Sequence, residues 1–181
     1  MDREQLNQVL AKAECVFDTD ACEKIFDHLA ADIQPHIEQA LPIVSCVLNG
    51  GLMTAAELMK RWHFPLQQDY LHATRYVNNQ PTDELHWRAE PSIDPSNRVV
   101  VILDDIFDEG TTLAKVVDYY LDRGAKKVIT GVMLDKQHDR RKTDYCVDFV
   151  GTQVSDLYLF GKGLDTNGWW RNAPGIFALR E

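Results

Sequence analysis

The sequence predicts an α/β fold with a mostly parallel, Rossmann-like sheet flanked by helices. Apolar runs of strand character alternate along the chain with helical patterns, and the strongest run, residues 99–102, is entirely β-branched. A strand, a helix and a further strand in succession favour right-handed crossovers and therefore parallel pairing. Because 181 residues carry no visible repeat or linker, we expect one domain spanning residues 1–181.

Each predicted element depends on a local pattern. Helices are predicted from a cap at Asp18 or Thr19 to near Pro35, over 52–62, and over 112–123, where Gly124 closes the helix. A polar loop with turn residues is predicted at 78–83. Strands are predicted over 15–17, 42–48, 66–77, 84–88, 97–103, 127–134, 147–150 and 157–160.

Composition narrows the class of protein. The net charge of −9, without a basic stripe, argues against nucleic-acid binding. No apolar run is long enough to cross a membrane, and the polar, acidic beginning does not resemble a signal peptide, so we expect a cytoplasmic protein without a membrane partner. The four cysteines form no C-x-x-C pair and are expected to be free, mostly buried thiols.

The segment 104–112, DDIFDEGTT, follows a predicted buried strand and opens a predicted helix. Ligands of open α/β sheets bind beyond the carboxyl ends of the strands, where the first N–H groups of a helix lack partners. Backbone N–H groups from Glu109, Gly110, Thr111 and Thr112, with the two threonine hydroxyls, would suit a terminal phosphate. Gly110 would let the backbone approach the ligand closely.

The carboxylates of the same segment suggest the rest of the ligand. Asp104 and Asp105 could accept hydrogen bonds from a cis-diol one sugar-length from the phosphate, which suits a ribose 5-phosphate. Asp108 would lie near the anomeric carbon, where it could exchange a proton with a base nitrogen. The alternative is an ordinary capped turn, because Asp and Gly are common in turns. The β-branched run before the motif and Thr-Thr-Leu after it favour the binding site.

The motif VVVILDDIFDEGTTL resembles the phosphoribosyl-pyrophosphate signature of type I phosphoribosyltransferases. The order of further motifs resembles the hypoxanthine-guanine members of that family: LNGG at 48–51 is similar to their pyrophosphate loop, and DLYLFGKGLD at 156–165 to their base-binding hood. The resemblance covers about residues 42–171. It implies a small hood subdomain formed by about residues 1–20 and 150–181, Mg²⁺ as cofactor, and a homodimer or homotetramer.

The resemblance also implies roles for individual residues. Lys136 would donate to the O6 of a purine, and Tyr158 would stack on the ring while Leu159 reads the base edge through its backbone. Arg75 and Tyr76 would begin a mobile loop, and the 75–83 segment would close over the substrates. The implied pyrophosphate ligands are Asn49, Gly50 and Arg171; Asp165 would bind at the base site and hold Mg²⁺ together with Asp104 and Asp105.

Two residues depart from the family pattern. Glu109 stands where threonine is common, and we expect it to contribute its N–H while its side chain turns to solvent. Asn49 stands where lysine is common, which removes a positive charge from the pyrophosphate site. Arg75 replaces a usual serine and is expected to restore part of that charge.

The expected function is purine salvage. A purine base and phosphoribosyl pyrophosphate would give a nucleoside monophosphate and pyrophosphate, with hypoxanthine or guanine as the base. A preference for xanthine or another base stays open. A regulator that binds RNA on the same fold is disfavoured by the charge of −9, and an inactive assembly protein by the intact Asp104, Asp105, Asp108 and Lys136.

Overall fold

A computed structural model describes residues 2–77 and 80–179, and the side chains of residues 74–85 lie outside the described part. The described helices are α1 (Arg3–Lys12), α2 (Thr19–Ile33), α3 (Gly51–Arg61) and α4 (Thr111–Asp122), with a 3₁₀ turn at Gln34–His36. The described strands are β1 (Glu14–Phe17), β2 (Ile43–Val47), β3 (Gln67–Val77), β4 (Gln80–Ala89), β5 (Val99–Phe107), β6 (Lys127–Gln137), β7 (Phe149–Ser155), β8 (Leu159–Phe160) and β9 (Ile176–Ala178).

The main sheet has six strands in the order β4-β3-β2-β5-β6-β7. β2, β3, β5, β6 and β7 pair in parallel, and β4 is added antiparallel to β3 at one edge. The predicted mostly parallel α/β sheet is therefore confirmed. Because β2 and β5 are adjacent and parallel, the segments that follow them meet at one edge of the sheet.

Apolar side chains cover both faces of the sheet. Leu29, Ile33 and Leu58 from α2 and α3 pack on one face, while Val116 and Tyr120 from α4 pack on the other. A helix layer on each face explains why the central strands are continuous apolar runs and do not alternate with polar residues. This packing fixes the strand ends that carry the polar segments.

Several elements differ from the sequence prediction. β5 continues through Phe107, beyond the predicted end at Leu103, because Asp104 to Phe107 still pair with β6. β4 begins at Gln80, so most of the predicted loop 78–83 is strand; antiparallel pairing with β3 outweighs the turn propensity of these polar residues. α1 and β9 were not predicted.

A second, small sheet joins segments distant in sequence. β9 lies between β1 and β8 and pairs antiparallel with both. α1, capped by Asp2, is held beside this sheet because the Trp170 indole donates a hydrogen bond to the Leu6 carbonyl at 2.9 Å. α1 has few apolar residues of its own, so such contacts, which are long-range, account for its absence from the sequence prediction.

The cysteines are free: Cys22 and Cys46 are buried, whereas Cys15 and Cys146 are exposed. Burial raises the pKa of Cys22 to about 11 and that of Cys46 to about 12, so both remain neutral thiols near pH 7. Among the residues that the structure describes, no helix combines the length and apolar character needed to span a bilayer.

Candidate active site

The end of β5 places two carboxylates side by side against the turn after β2. The Asp104 and Asp105 carboxylates accept hydrogen bonds from the next residue's backbone N–H, at 2.9 and 2.8 Å. Gly50 packs so tightly on Asp105 that a Cβ there would lie 1.9 Å from its Oδ2. Position 50 therefore requires glycine.

The two carboxylates lie in an environment that disfavours charge. Burial and the neighbouring Asp105 carboxylate raise the pKa of Asp104 well above its usual range, and burial also raises that of Asp105. Arg171 opposes both shifts from a distance. Hydroxyl donors or a cation would stabilise the charged form of such a buried carboxylate pair.

The loop after β5 forms an anion-binding helix start. Gly110 takes φ +82°, which glycine adopts readily, and α4 begins at Thr111 without a side-chain cap or an acidic residue in its first turn. The buried Thr111 Oγ1 has no hydrogen-bond partner. A helix N-terminus with free N–H groups and an unpartnered hydroxyl suits phosphate.

The Glu109 side chain differs from the sequence prediction. Its side chain does not turn to solvent: a carboxylate oxygen accepts a hydrogen bond from Lys142 Nζ at 2.8 Å, and its carbonyl accepts one from the Lys142 backbone N–H at 3.0 Å. The Glu109 side chain is only 23% exposed. Lys142 therefore offsets a negative charge that would otherwise stand beside the anion site.

This pairing predicts that Lys142→Met will weaken the binding of inorganic phosphate about 3-fold, since the Glu109 charge loses a cationic partner. The double variant Glu109→Gln/Lys142→Met should return the Kd to near the wild-type value. Isothermal titration calorimetry with inorganic phosphate measures both. An equal rise in the Kd of the double variant would mean that Lys142 contacts the ligand itself.

Asp108 is held by residues from the end of β6 and the turn after it. Its Oδ2 accepts a hydrogen bond from Lys136 Nζ at 3.0 Å, and its Oδ1 lies 2.6 Å from His138 Nε2. Arg140 lies further off, with Nη1 at 3.8 Å. Burial acts to raise the pKa of Asp108, but the bonds from Lys136 and His138 outweigh it and hold the pKa below its usual range.

Arg171 and Asp165 form an ion pair in the segment before β9. Arg171 Nη2 lies 2.5 Å from Asp165 Oδ1, and Arg171 Nη1 donates to the Gly163 carbonyl. Asp165 also accepts a hydrogen bond from the Gly168 N–H. The pair places the predicted pyrophosphate arginine beside the predicted Mg²⁺ aspartate.

The remaining predicted residues lie around these groups. Asn49 is exposed, and the Leu48–Asn49 peptide bond before it is cis. Tyr158 is 54% exposed, so it is not a core aromatic, whereas Leu159 is buried in β8. Arg75 and Tyr76 were predicted to begin a loop, but their backbone lies in β3; their side chains fall outside the described residues.

A cleft of about 500 Å³ brings the main groups together. Residues 104–113 form one wall, and Gly50, Arg140 and Arg171 contribute others. Lys136 and Asp165 reach the cleft through their partners Asp108 and Arg171. The arrangement can bind an anion at the helix start, hydroxyls at the acid pair and a proton-bearing group at Asp108.

Residues 13–167 match the family model described as "Phosphoribosyl transferase domain". The chain belongs to this family. The match spans the main sheet, the Asp165 turn and the residues that line the cleft other than Arg171, and it confirms the resemblance recognised in the sequence motifs.

Named relatives agree with the family match. The chain is 31% identical over 159 residues to a hypoxanthine-guanine phosphoribosyltransferase of Bacillus subtilis, covering 87% of this chain and 88% of the relative. It is 26% identical over 166 residues to a hypoxanthine-guanine-xanthine phosphoribosyltransferase of Tritrichomonas foetus, covering 92% and 91%. A crystal structure of a Staphylococcus aureus hypoxanthine phosphoribosyltransferase superposes with a TM-score of 0.88 at 25% identity, covering 99% and 96%.

The sequence reasoning missed His138 and Lys142. Both lie in the polar stretch after β6, where a single histidine or lysine has the pattern of an ordinary exposed turn. The signal that could have found Lys142 is charge: an acidic residue beside an anion site needs a nearby cation, and the Arg140–Lys142 run is the short basic block of the chain.

Proposed function

We propose that this member of the family is a purine salvage enzyme. It transfers the phosphoribosyl group of 5-phosphoribosyl 1-pyrophosphate to hypoxanthine or guanine, giving IMP or GMP and pyrophosphate. One observation carries the proposal: the Asp104–Asp105 pair, the Lys136-bound Asp108 and the uncapped start of α4 line one cleft. The names of the relatives support the class of base.

The 5-phosphate would bind the N–H groups at Glu109 to Thr112, with the free Thr111 hydroxyl as a further donor. The ribose hydroxyls would donate to Asp104 and Asp105, whose buried charges gain from such donors. This places the phosphate and the sugar at either end of one nine-residue segment.

Pyrophosphate would lie between the turn after β2 and Arg171. Gly50 leaves room for backbone N–H groups at the start of α3, and the Arg171 guanidinium offers paired donors. Asn49 would contribute its backbone N–H, and its side-chain amide supplies no positive charge.

The donor set of the cleft fits Mg²⁺. In the described part of the chain no three acidic, histidine or cysteine side chains converge as a ready-made metal site. Mg²⁺ bound with a phosphate substrate needs only one or two carboxylates, and Asp104, Asp105 and Asp165 can supply them. When bound, the ion would draw charge onto the leaving pyrophosphate.

The base would meet Lys136, Tyr158 and the backbone of Leu159. Lys136 donates to a 6-oxo group and disfavours a 6-amino group. Asp108, anionic near neutral pH, would accept the proton from the purine N7 as the bond to the anomeric carbon forms. The small sheet would serve as the hood over the base, and the 75–83 segment, which is strand where the structure describes it, would exclude water.

We further expect a cytoplasmic homodimer or homotetramer that binds neither nucleic acid nor membrane. The net charge of −9 supports the exclusion of nucleic acid. Size-exclusion chromatography with light scattering tests the assembly.

The decisive assay supplies purified protein with phosphoribosyl pyrophosphate, Mg²⁺ and each free base in turn. Formation of IMP and GMP is expected. Xanthine is the second candidate base, favoured by the name of the Tritrichomonas foetus relative. Turnover of adenine alone, or RNA binding without turnover, would contradict the proposal.

Lys136→Ala tests the choice of base. The KM for hypoxanthine should rise about 10-fold, as expected for loss of a charged hydrogen bond, while the KM for phosphoribosyl pyrophosphate changes little. Lys136→Arg keeps a cationic donor and serves as the control. An unchanged affinity of Lys136→Ala for hypoxanthine would refute the O6 assignment.

A further inference from the structure

His138 lies directly behind the proposed proton acceptor. Its Nε2 is 2.6 Å from Asp108 Oδ1, and its side chain is only 3% exposed. On the other side of the ring, Nδ1 accepts a hydrogen bond from the Arg140 backbone N–H at 2.9 Å. The imidazole therefore bridges the turn after β6 and the loop after β5.

These two bonds determine where the ring carries its proton. Nδ1 must present a lone pair to the Arg140 N–H, so the proton of the neutral ring is on Nε2. Nε2 then donates a hydrogen bond to the Asp108 carboxylate and can orient it, in the way that outer hydrogen-bond partners orient the ligands of a metal.

The other two charged side chains near Asp108, those of Lys136 and Arg140, are less suited to orient its carboxylate when substrate is bound. Lys136 Nζ bonds the opposite oxygen, Oδ2, and would turn toward a base O6 when substrate binds. Arg140 is committed to Asp156, with Nη2 at 2.5 Å, and is half exposed. Once Lys136 engages the base, the described partner that keeps the Asp108 carboxylate in its plane is His138.

We propose that His138 is a positioning residue for phosphoribosyl transfer: as an Nε2–H donor it holds the Asp108 carboxylate in the orientation that accepts the purine proton. The inference rests on the proposed role of Asp108. It assigns His138 no contact with substrate.

The test uses the full chain with hypoxanthine. His138→Ala should lower kcat about 10-fold, in the lower range of effects for outer-partner residues, with the KM for phosphoribosyl pyrophosphate within 2-fold of wild type. His138→Gln offers an N–H donor of similar reach and should recover most of kcat. His63→Ala is the matched control, because His63 is exposed after the C-terminal end of α3, whereas the cleft lies at the N-terminal end of this helix.

Two further measurements separate this role from a merely structural one. In an Asp108→Asn background, His138→Ala should add little, since the two act as a unit. Nitrogen-15 NMR of the wild-type ring at neutral pH should report a proton on Nε2 alone. A kcat for His138→Ala within 2-fold of wild type, fully additive losses, or a proton on Nδ1 would each overturn the proposal.

These outcomes are distinguishable from failure of the proposed function. If Asp108→Asn lowers kcat and His138→Ala does not, Asp108 keeps its role and His138 loses its own. If Asp108→Asn is fully active, the premise itself fails. Ligand-induced stabilisation by phosphoribosyl pyrophosphate, equal to that of wild type, establishes that each variant is folded.

Discussion

Asp108→Asn is expected to lower kcat about 100-fold or more, the usual contribution of a positioned acid or base. Asparagine keeps the shape and an acceptor oxygen for His138 but has no charge to take the purine proton. The Kd for phosphoribosyl pyrophosphate should stay within 2-fold of wild type, because the phosphate and ribose contacts lie elsewhere on the segment. Single-turnover kinetics with hypoxanthine measure the effect.

The control for this variant is Asp118→Asn, which makes the same change on the exposed face of α4. The pH dependence gives a second check. Lys136 and His138 hold the pKa of Asp108 below its usual range, so its protonation should reduce kcat only at a pH below the range in which an ordinary aspartate titrates. Undiminished turnover of Asp108→Asn with intact ribose-phosphate binding would refute the proton role.

Asp104→Asn is expected to stabilise the protein while it weakens substrate binding. The raised pKa of Asp104 means that the native state binds a proton more tightly than the unfolded chain. Stability is therefore lost as the pH rises from the unfolded value of about 3.9 through the native pKa, and the loss persists above it. The amide keeps the acceptor for the Asp105 N–H and removes the buried charge.

We expect the Tm of Asp104→Asn in EDTA at pH 8 to exceed that of wild type by about 3 °C, which corresponds to about 1 kcal/mol for a chain of this size. The difference should shrink toward pH 4. The KM for phosphoribosyl pyrophosphate should rise at least about 10-fold, since one charged acceptor for the ribose is lost. Asp118→Asn again serves as the control. A lower Tm of Asp104→Asn at pH 8 would contradict the prediction that the buried charges of Asp104 and Asp105 destabilise the native state.

The sequence was most informative where structure is determined locally. The β-branched run before Asp104 and the glycine before α4 predict a strand and a helix start from short-range sterics and capping, and both are present. α1 and β9 were missed because they depend on the Trp170–Leu6 contact and on pairing across the whole chain. Such long-range contacts have no local signature.

The candidate site shows the same contrast between residues of a local motif and partners that are distant in sequence. Residues of one continuous motif, Asp104 to Thr112, could be predicted as site residues from their order alone, and they line one wall of the cleft. The partners that adjust their charges, His138 for Asp108 and Lys142 for Glu109, come from a turn some 30 residues later. Only the adjacency of β5 and β6 brings them together.

The small sheet has a consequence for how the chain is made. Cys15 in β1 pairs with Phe177 in β9, so β1 cannot find its partner until almost all of the intervening chain has been synthesised. The main sheet, by contrast, is built from neighbouring crossovers that can assemble as they emerge from the ribosome. Synthesis should therefore pass through a state in which the main sheet has formed and the small sheet has not, and a truncation that removes β9 should prolong that state.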